Sequence, residues 1–161
     1  MKRIDRIGTL LKKIYRAYSA DVLSRLAERG FSDLRSSFLE VLLFICEHEG
    51  AAIKQIGDAC ALKKQTMTSH LNELERRGYV VRKVSERDQR SQCVFLTEHG
   101  AKFRLSFFEV IELVDDIYKE KVGEVELVRI EDALTFAFDR LTVTAHKALD
   151  NKLDFEIMPL L

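Results

Sequence analysis

The stretch from Ile53 to Gly100 constrains this chain most. Ile53, Ile56 and Cys60 recur at helical spacing, and after a short break so do Met67, Leu71 and Leu74, up to Gly78. Two β-prone runs follow, Tyr79 to Val84 and Cys93 to Leu96, joined by the charged segment Ser85 to Ser91. Two short helices about a tight turn, then a hairpin, is the order of a winged helix-turn-helix. In that arrangement the second helix enters a DNA major groove while the hairpin loop reaches the backbone or minor groove beside it.

The flanks read as long helices. Ile4, Ile7, Leu11, Ile14, Tyr18, Val22 and Leu26 predict an amphipathic helix over residues 3–29, ended by Gly30. Ser32 or Asp33 is expected to cap the next helix, whose apolar face runs Leu34, Phe38, Val41, Leu42, Ile45 up to the acidic, glycine-containing stretch Glu47 to Gly50. Thr97 is expected to cap a fifth helix through Phe103, Phe107, Val110, Ile111, Val114, Ile117 and Tyr118. A sixth runs through Leu127, Ile130, Leu134, Phe138, Leu141, Ala145 and Ala148, the two broken apart near Gly123. The expected fold is mainly α with a small β-hairpin wing. Residues 31–120 form the winged helix-turn-helix DNA-binding region with its connecting helix, and residues 1–30 and 121–161 are dimerisation helices. Neither terminal helix is needed to complete a compact winged domain, so their exposed faces are expected to bury against a second copy in a symmetric homodimer.

Composition narrows the class. At 161 residues the chain holds one domain, or a small domain with an attached oligomerisation element. No apolar run approaches the roughly 18–20 residues that span a bilayer, and the N-terminus alternates charged with apolar residues, so neither a signal peptide nor a membrane partner is expected. Cys46, Cys60 and Cys93 form no CxxC pair and lie in apolar surroundings, which suits structural thiols in a reducing cytoplasm. The histidines at 48, 70, 99 and 146 lack metal-ligand spacing, and neither a metal nor any other cofactor is expected. With no glycine-rich phosphate loop, no G-x-S-x-G and no HExxH, the sequence does not read as an enzyme. The formal net charge is zero, yet residues 63–90 carry eight basic against four acidic side chains, so attraction for phosphate is concentrated in one segment of an otherwise acidic chain.

Two segments together carry a family resemblance. They are the helix LKKQTMTSHLNELERRGYVVR, with Thr66, Leu71, Leu74, Glu75 and Gly78 in register, and the wing segment DQRSQCVFLTEHG, with its D-x-R followed by L-T-x-x-G. By these the chain resembles the MarR family of bacterial winged helix-turn-helix transcriptional regulators. The resemblance implies a dimer joined by its terminal helices on a palindromic operator, and in many members repression relieved by a small phenolic or oxidant signal. Lys63 stands where a capping Ser, Thr or Asp is common in the family, and Ser69 where Arg is frequent.

With Met67, Leu71 and Leu74 inward, the 3.6-residue period directs Gln65, Thr66, Thr68, Ser69 and Asn72 outward as candidate base readers. Arg87 and Arg90 sit at the wing tip, where a long cation suits a narrow A·T-rich minor groove. Asp88 is positioned to orient Arg90, as the D-x-R resemblance implies. Lys64, Arg76, Arg77, Arg82 and Lys83 read as phosphate contacts or long-range field; six neutralised phosphates would give a log–log salt slope of about −5. An effector pocket for a small aromatic or phenolic molecule is expected at Tyr15, Arg16, Tyr18, Phe38, Leu42 and Phe108, with Arg16 holding a carboxylate or phenolate. No cysteine lies in the first helix beside Tyr15 or Tyr18 to serve an oxidant signal. The reading is a cytoplasmic homodimeric regulator of double-stranded DNA, most simply a repressor. The alternative is a winged-helix protein-interaction module without DNA contact, which the neutral overall charge favours.

Overall fold

The computed structural model describes residues 2–85 and 91–153, with side chains as far as residue 141. Among these residues six helices and one hairpin follow in the order α1 (Arg3–Glu28), α2 (Ser36–Glu47), α3 (Ile53–Ala59), α4 (Lys64–Arg76), β1 (Val80–Val84), β2 (Gln92–Leu96), α5 (Glu98–Val122) and α6 (Glu124–Leu153). This is the mainly helical, winged helix-turn-helix fold expected from the sequence. The chain forms two compact units, one ending at Val114 and one beginning at Asp115.

In the first unit, the C-terminal part of α1 joins the core through Ser19, Val22 and Leu26, while its N-terminal part is exposed. Gly30, at φ +93°, stops the helix in a Schellman turn: its N–H donates to Ala27 and the Phe31 N–H to Leu26. The start of α2 departs from expectation. Neither Ser32 nor Asp33 caps it; the helix begins at Ser36 after Arg35, and Leu34 precedes it. The Asp33 carboxylate instead accepts a 2.6 Å hydrogen bond from the Tyr79 hydroxyl, so tertiary pairing has claimed the group that local capping would have used.

A tight turn follows α3, with Ala61 at φ +50° and the Leu62 N–H donating to Gly57. The inward face of α4 is Met67, Leu71 and Leu74, each with at most 1% of its surface exposed. Gly78, at φ +80°, ends α4, and the Tyr79 N–H closes the turn on Leu74. β1 and β2 pair antiparallel with Val80 opposite Leu96 and Val84 opposite Gln92. One pairing was not legible from sequence. The segment at Gly50 to Ala52 lies along β2, with the Gly50 N–H donating to Val94 at 2.8 Å and the Val94 N–H to Ala51 at 3.0 Å.

The core of this unit unites Phe38, Val41, Leu42 and Ile45 of α2 with Leu71, Tyr79, Val94, Phe103 and Phe107. Each fully buried Leu or Phe contributes about 1.5–3 kcal/mol of hydrophobic stabilisation. Thr97 caps α5 as expected: its hydroxyl accepts the Gly100 N–H at 3.0 Å. In the second unit, Gly123 at φ +98° separates α5 from α6. The described side chains of α6 include no buried residue, and Val125, Val128, Ile130, Leu134, Phe136, Phe138 and Leu141 are exposed. Among the described residues no helix is long and apolar enough to cross a membrane.

Candidate nucleic-acid interface

Because Met67, Leu71 and Leu74 fix the roll of α4, its opposite face carries exposed Lys64, Gln65, Thr66, Thr68, Ser69, Asn72 and Arg76. Two grooves flank that face. One of about 730 Å³ brings Lys64, Gln65, Thr68, Ser69, Asn72 and Arg76 together with Arg35, Ser37 and Phe38 of the α2 start. The other, of about 760 Å³, sets Lys64, Thr68 and Arg82 beside Lys54 of α3 and Ser91 and Gln92 of the hairpin. Thr66 is exposed but lines neither. Arg35, Ser37 and Lys54 are additions that the sequence reading missed. Arg87, Asp88 and Arg90 lie outside the described residues.

Among the described residues, Gln65, Ser69 and Asn72 present amide and hydroxyl groups that no other side chain engages, the chemistry that reads base edges by paired donors and acceptors. Thr68 differs from them. Its hydroxyl donates to the Lys64 carbonyl at 2.9 Å, so only its methyl and its lone pairs face outward.

The arginines expected at phosphates are engaged internally. Glu73 accepts from Arg76 (Nη2 2.6 Å, Nε 3.1 Å) and from Arg77 (Nη2 2.6 Å, Nε 2.9 Å). Those hydrogen bonds, Arg76's first, draw its carboxyl down to about 2. Glu75 accepts from Arg82 and is likewise held below the usual carboxylate range by that side-chain hydrogen bond. Arg77 also lies over the Phe38 ring at 5.5 Å, and His70 meets the same ring edge-on at 5.2 Å. Lys64, Lys54 and Arg35 are in no ion pair among the described residues, and they line the grooves together with Glu73 in the first and Asp58 in the second.

Of the expected effector residues, Phe38 lines the groove beside α4, and the others differ in exposure. Leu42 has no exposed surface, and Phe38 is 2% exposed, its remaining edge turned to the groove beside α4. Tyr15 and Tyr18 stand 6.4 Å apart on α1, with the Tyr15 hydroxyl donating to the Ser36 carbonyl at 3.2 Å. Arg16 is exposed, and Phe108 stacks on Phe107. Burial pushes the Cys46 thiol up to about 12 and the Cys60 thiol up to about 11, which keeps both protonated near neutrality.

Residues 34–91 match the model of the MarR family. The organic hydroperoxide resistance transcriptional regulator of Bacillus subtilis is 33% identical over 93 residues, covering 58% of this chain and 62% of its own length. The HTH-type transcriptional regulator SarZ of Staphylococcus aureus is 35% identical over 78 residues, 48% of this chain and 53% of its own length. The chain thus spans between about half and three-fifths of these curated relatives. FabT of Streptococcus pneumoniae, solved in complex with DNA, shares the fold at a TM-score of 0.69, with 23% identity over 88% of this chain and 99% of FabT. The match to the MarR family model is confined to residues 34–91, the stretch that holds α2, the helix-turn-helix and the first strand of the hairpin.

Proposed function

We propose that this protein is a sequence-specific DNA-binding transcriptional regulator that occupies a palindromic operator as a homodimer and represses from it. One observation carries the reading. The exposed face of α4 is uncharged and polar at Gln65, Ser69 and Asn72, and Arg35 just before α2, Lys54 of α3 and Lys64 of α4 stand along the grooves on both sides of it. Uncharged amides suit base edges and flanking cations suit phosphates, so the arrangement divides into readers and anchors. The relatives are named as transcriptional regulators, and a structural neighbour was solved on DNA, which supports the same assignment. Arg87 and Arg90 are assigned from sequence to the minor groove, with Asp88 orienting Arg90.

Genomic binding of the tagged protein tests the proposal. It is expected to recover a palindrome whose half-site centres lie about one helical turn, roughly 34–36 Å, apart. On that duplex, Gln65→Ala and Asn72→Ala each lose discrimination by about 1–3 kcal/mol at one base position, while Arg90→Ala weakens binding. A wild-type protein with no salt-sensitive affinity for any duplex would leave the protein-interaction reading in its place.

A further inference from the structure

Arg82 was expected at a DNA phosphate, but its surroundings describe a different task. Its guanidinium donates to Glu75 Oε2 from Nε at 3.0 Å and from Nη2 at 2.5 Å, and its own backbone N–H donates to Glu75 Oε1 at 3.1 Å. Both carboxylate oxygens are therefore committed to one residue. Glu75 stands in the last turn of α4, and Arg82 is the third residue of β1. Between them the chain reverses at Gly78. Among the described residues β1 pairs with β2 alone, so the outward N–H of Arg82 lies on the open edge of that sheet, and Glu75 covers it.

We propose that Arg82 is a positioning residue, which with Glu75 braces the wing against the recognition helix α4 and so sets the angle at which the hairpin meets DNA. The inference rests on the DNA-binding reading above. Its mechanical basis is a lever. The hairpin leaves α4 at the Gly78–Tyr79 turn, and three residues of strand place Arg82 about 10 Å beyond that pivot. A tie at that distance resists rotation about the turn far better than the turn itself. The electrostatics agree: an arginine neutralised by its own carboxylate at 2.5 Å, with 22% of its side chain exposed, adds little net field toward a phosphate.

The two roles predict opposite signs for one substitution. If Arg82 were a phosphate contact, Glu75→Ala would release it and tighten binding to every duplex. If the pair is a brace, Glu75→Ala loosens the wing and harms the selected site above all. The experiment uses the full chain, a duplex selected from a random-sequence pool by the wild-type protein, and a scrambled duplex of equal length. Expected for Glu75→Ala and for Arg82→Ala is a loss of about tenfold in the ratio of the two affinities, as for coupled neighbours, with no further loss in the double variant. The salt slope stays unchanged. The charge-swapped pair, Glu75→Arg with Arg82→Glu, binds the selected duplex better than either single variant, and hydrogen exchange at the Arg82 amide accelerates in Glu75→Ala while the core amides stay protected.

Tighter binding by Glu75→Ala, or a salt slope flattened by about one per protomer in Arg82→Ala, overturns the brace and restores the phosphate contact. An unaltered affinity ratio in Glu75→Ala overturns it too. Each of these results leaves DNA binding itself standing, whereas a wild-type protein that binds neither duplex overturns both readings.

Discussion

Gly100 shows what a single position does here. A Cβ built on it would stand 2.0 Å from the Tyr79 carbonyl oxygen and 3.2 Å from a Leu96 methyl, and the first of these neighbours is backbone that cannot swing away. Thr97 gathers the same junction: its N–H donates to Tyr79, its hydroxyl donates to Gly78, and the Gly100 N–H donates to that hydroxyl. The Leu96-Thr97-x-x-Gly100 pattern is thus a lock between the end of α4, the hairpin and the start of α5. Gly100→Ala is expected to cost about 3 kcal/mol or more in denaturant unfolding, as overpacking does where nothing can yield. Glu73 makes a second prediction. Its folded value of about 2 lies below that of an unfolded carboxyl, so the stability it contributes is full above about pH 4.3 and is lost as pH falls through the folded value. Thermal melts of wild type and Glu73→Gln should therefore differ at neutral pH and converge between about pH 4 and pH 2.

At the scale of elements, α1 and α4 were legible because each has one buried stripe and a glycine stop: Val22 and Leu26 before Gly30, Met67, Leu71 and Leu74 before Gly78. The strand-like segment at Gly50 to Ala52 was not, since its order comes from hydrogen bonds to Val94 and not from any apolar alternation of its own. The Glu73 pairs follow helical spacing and were within reach of sequence; Glu75 and Arg82, seven residues apart across a turn, needed the fold to bring them together. The missed groove residues had a readable signal too. The first turns of α2, α3 and α4 contain no acid, and Arg35, Lys54 and Lys64 stand at or near those helix starts, where the helix dipole favours anions. Basic residues placed against that preference fit an external anion. Arg35→Ala and Lys54→Ala are accordingly expected to flatten the salt dependence of DNA affinity by about one phosphate each per protomer, without altering which sequence is preferred.

For the whole molecule, the question is what covers the apolar surface that a single chain leaves open. On α1, Ile4, Leu10 and Ile14 are 66%, 56% and 56% exposed, and on α6 Phe136, Phe138 and Leu141 are 64%, 66% and 72% exposed. Isolated apolar residues on a surface need no explanation, but rows of them along two long helices do, and a second copy of the chain is the occupant the homodimer proposal requires. Leu10 and Ile14 make the test clean. Both are more than half exposed in the single chain, so converting them to Glu removes no core packing and acts only where another surface would meet them. In sedimentation the wild-type protein is expected at twice its 18.6 kDa chain mass and the double variant at the chain mass, with helical circular dichroism retained in both. The variant should also bind a two-half-site duplex no better than a single half-site, because the spacing of about one turn is read only by two joined winged domains. A wild-type protein that sediments as a single chain at micromolar concentration would refute the dimer and, with it, the palindrome.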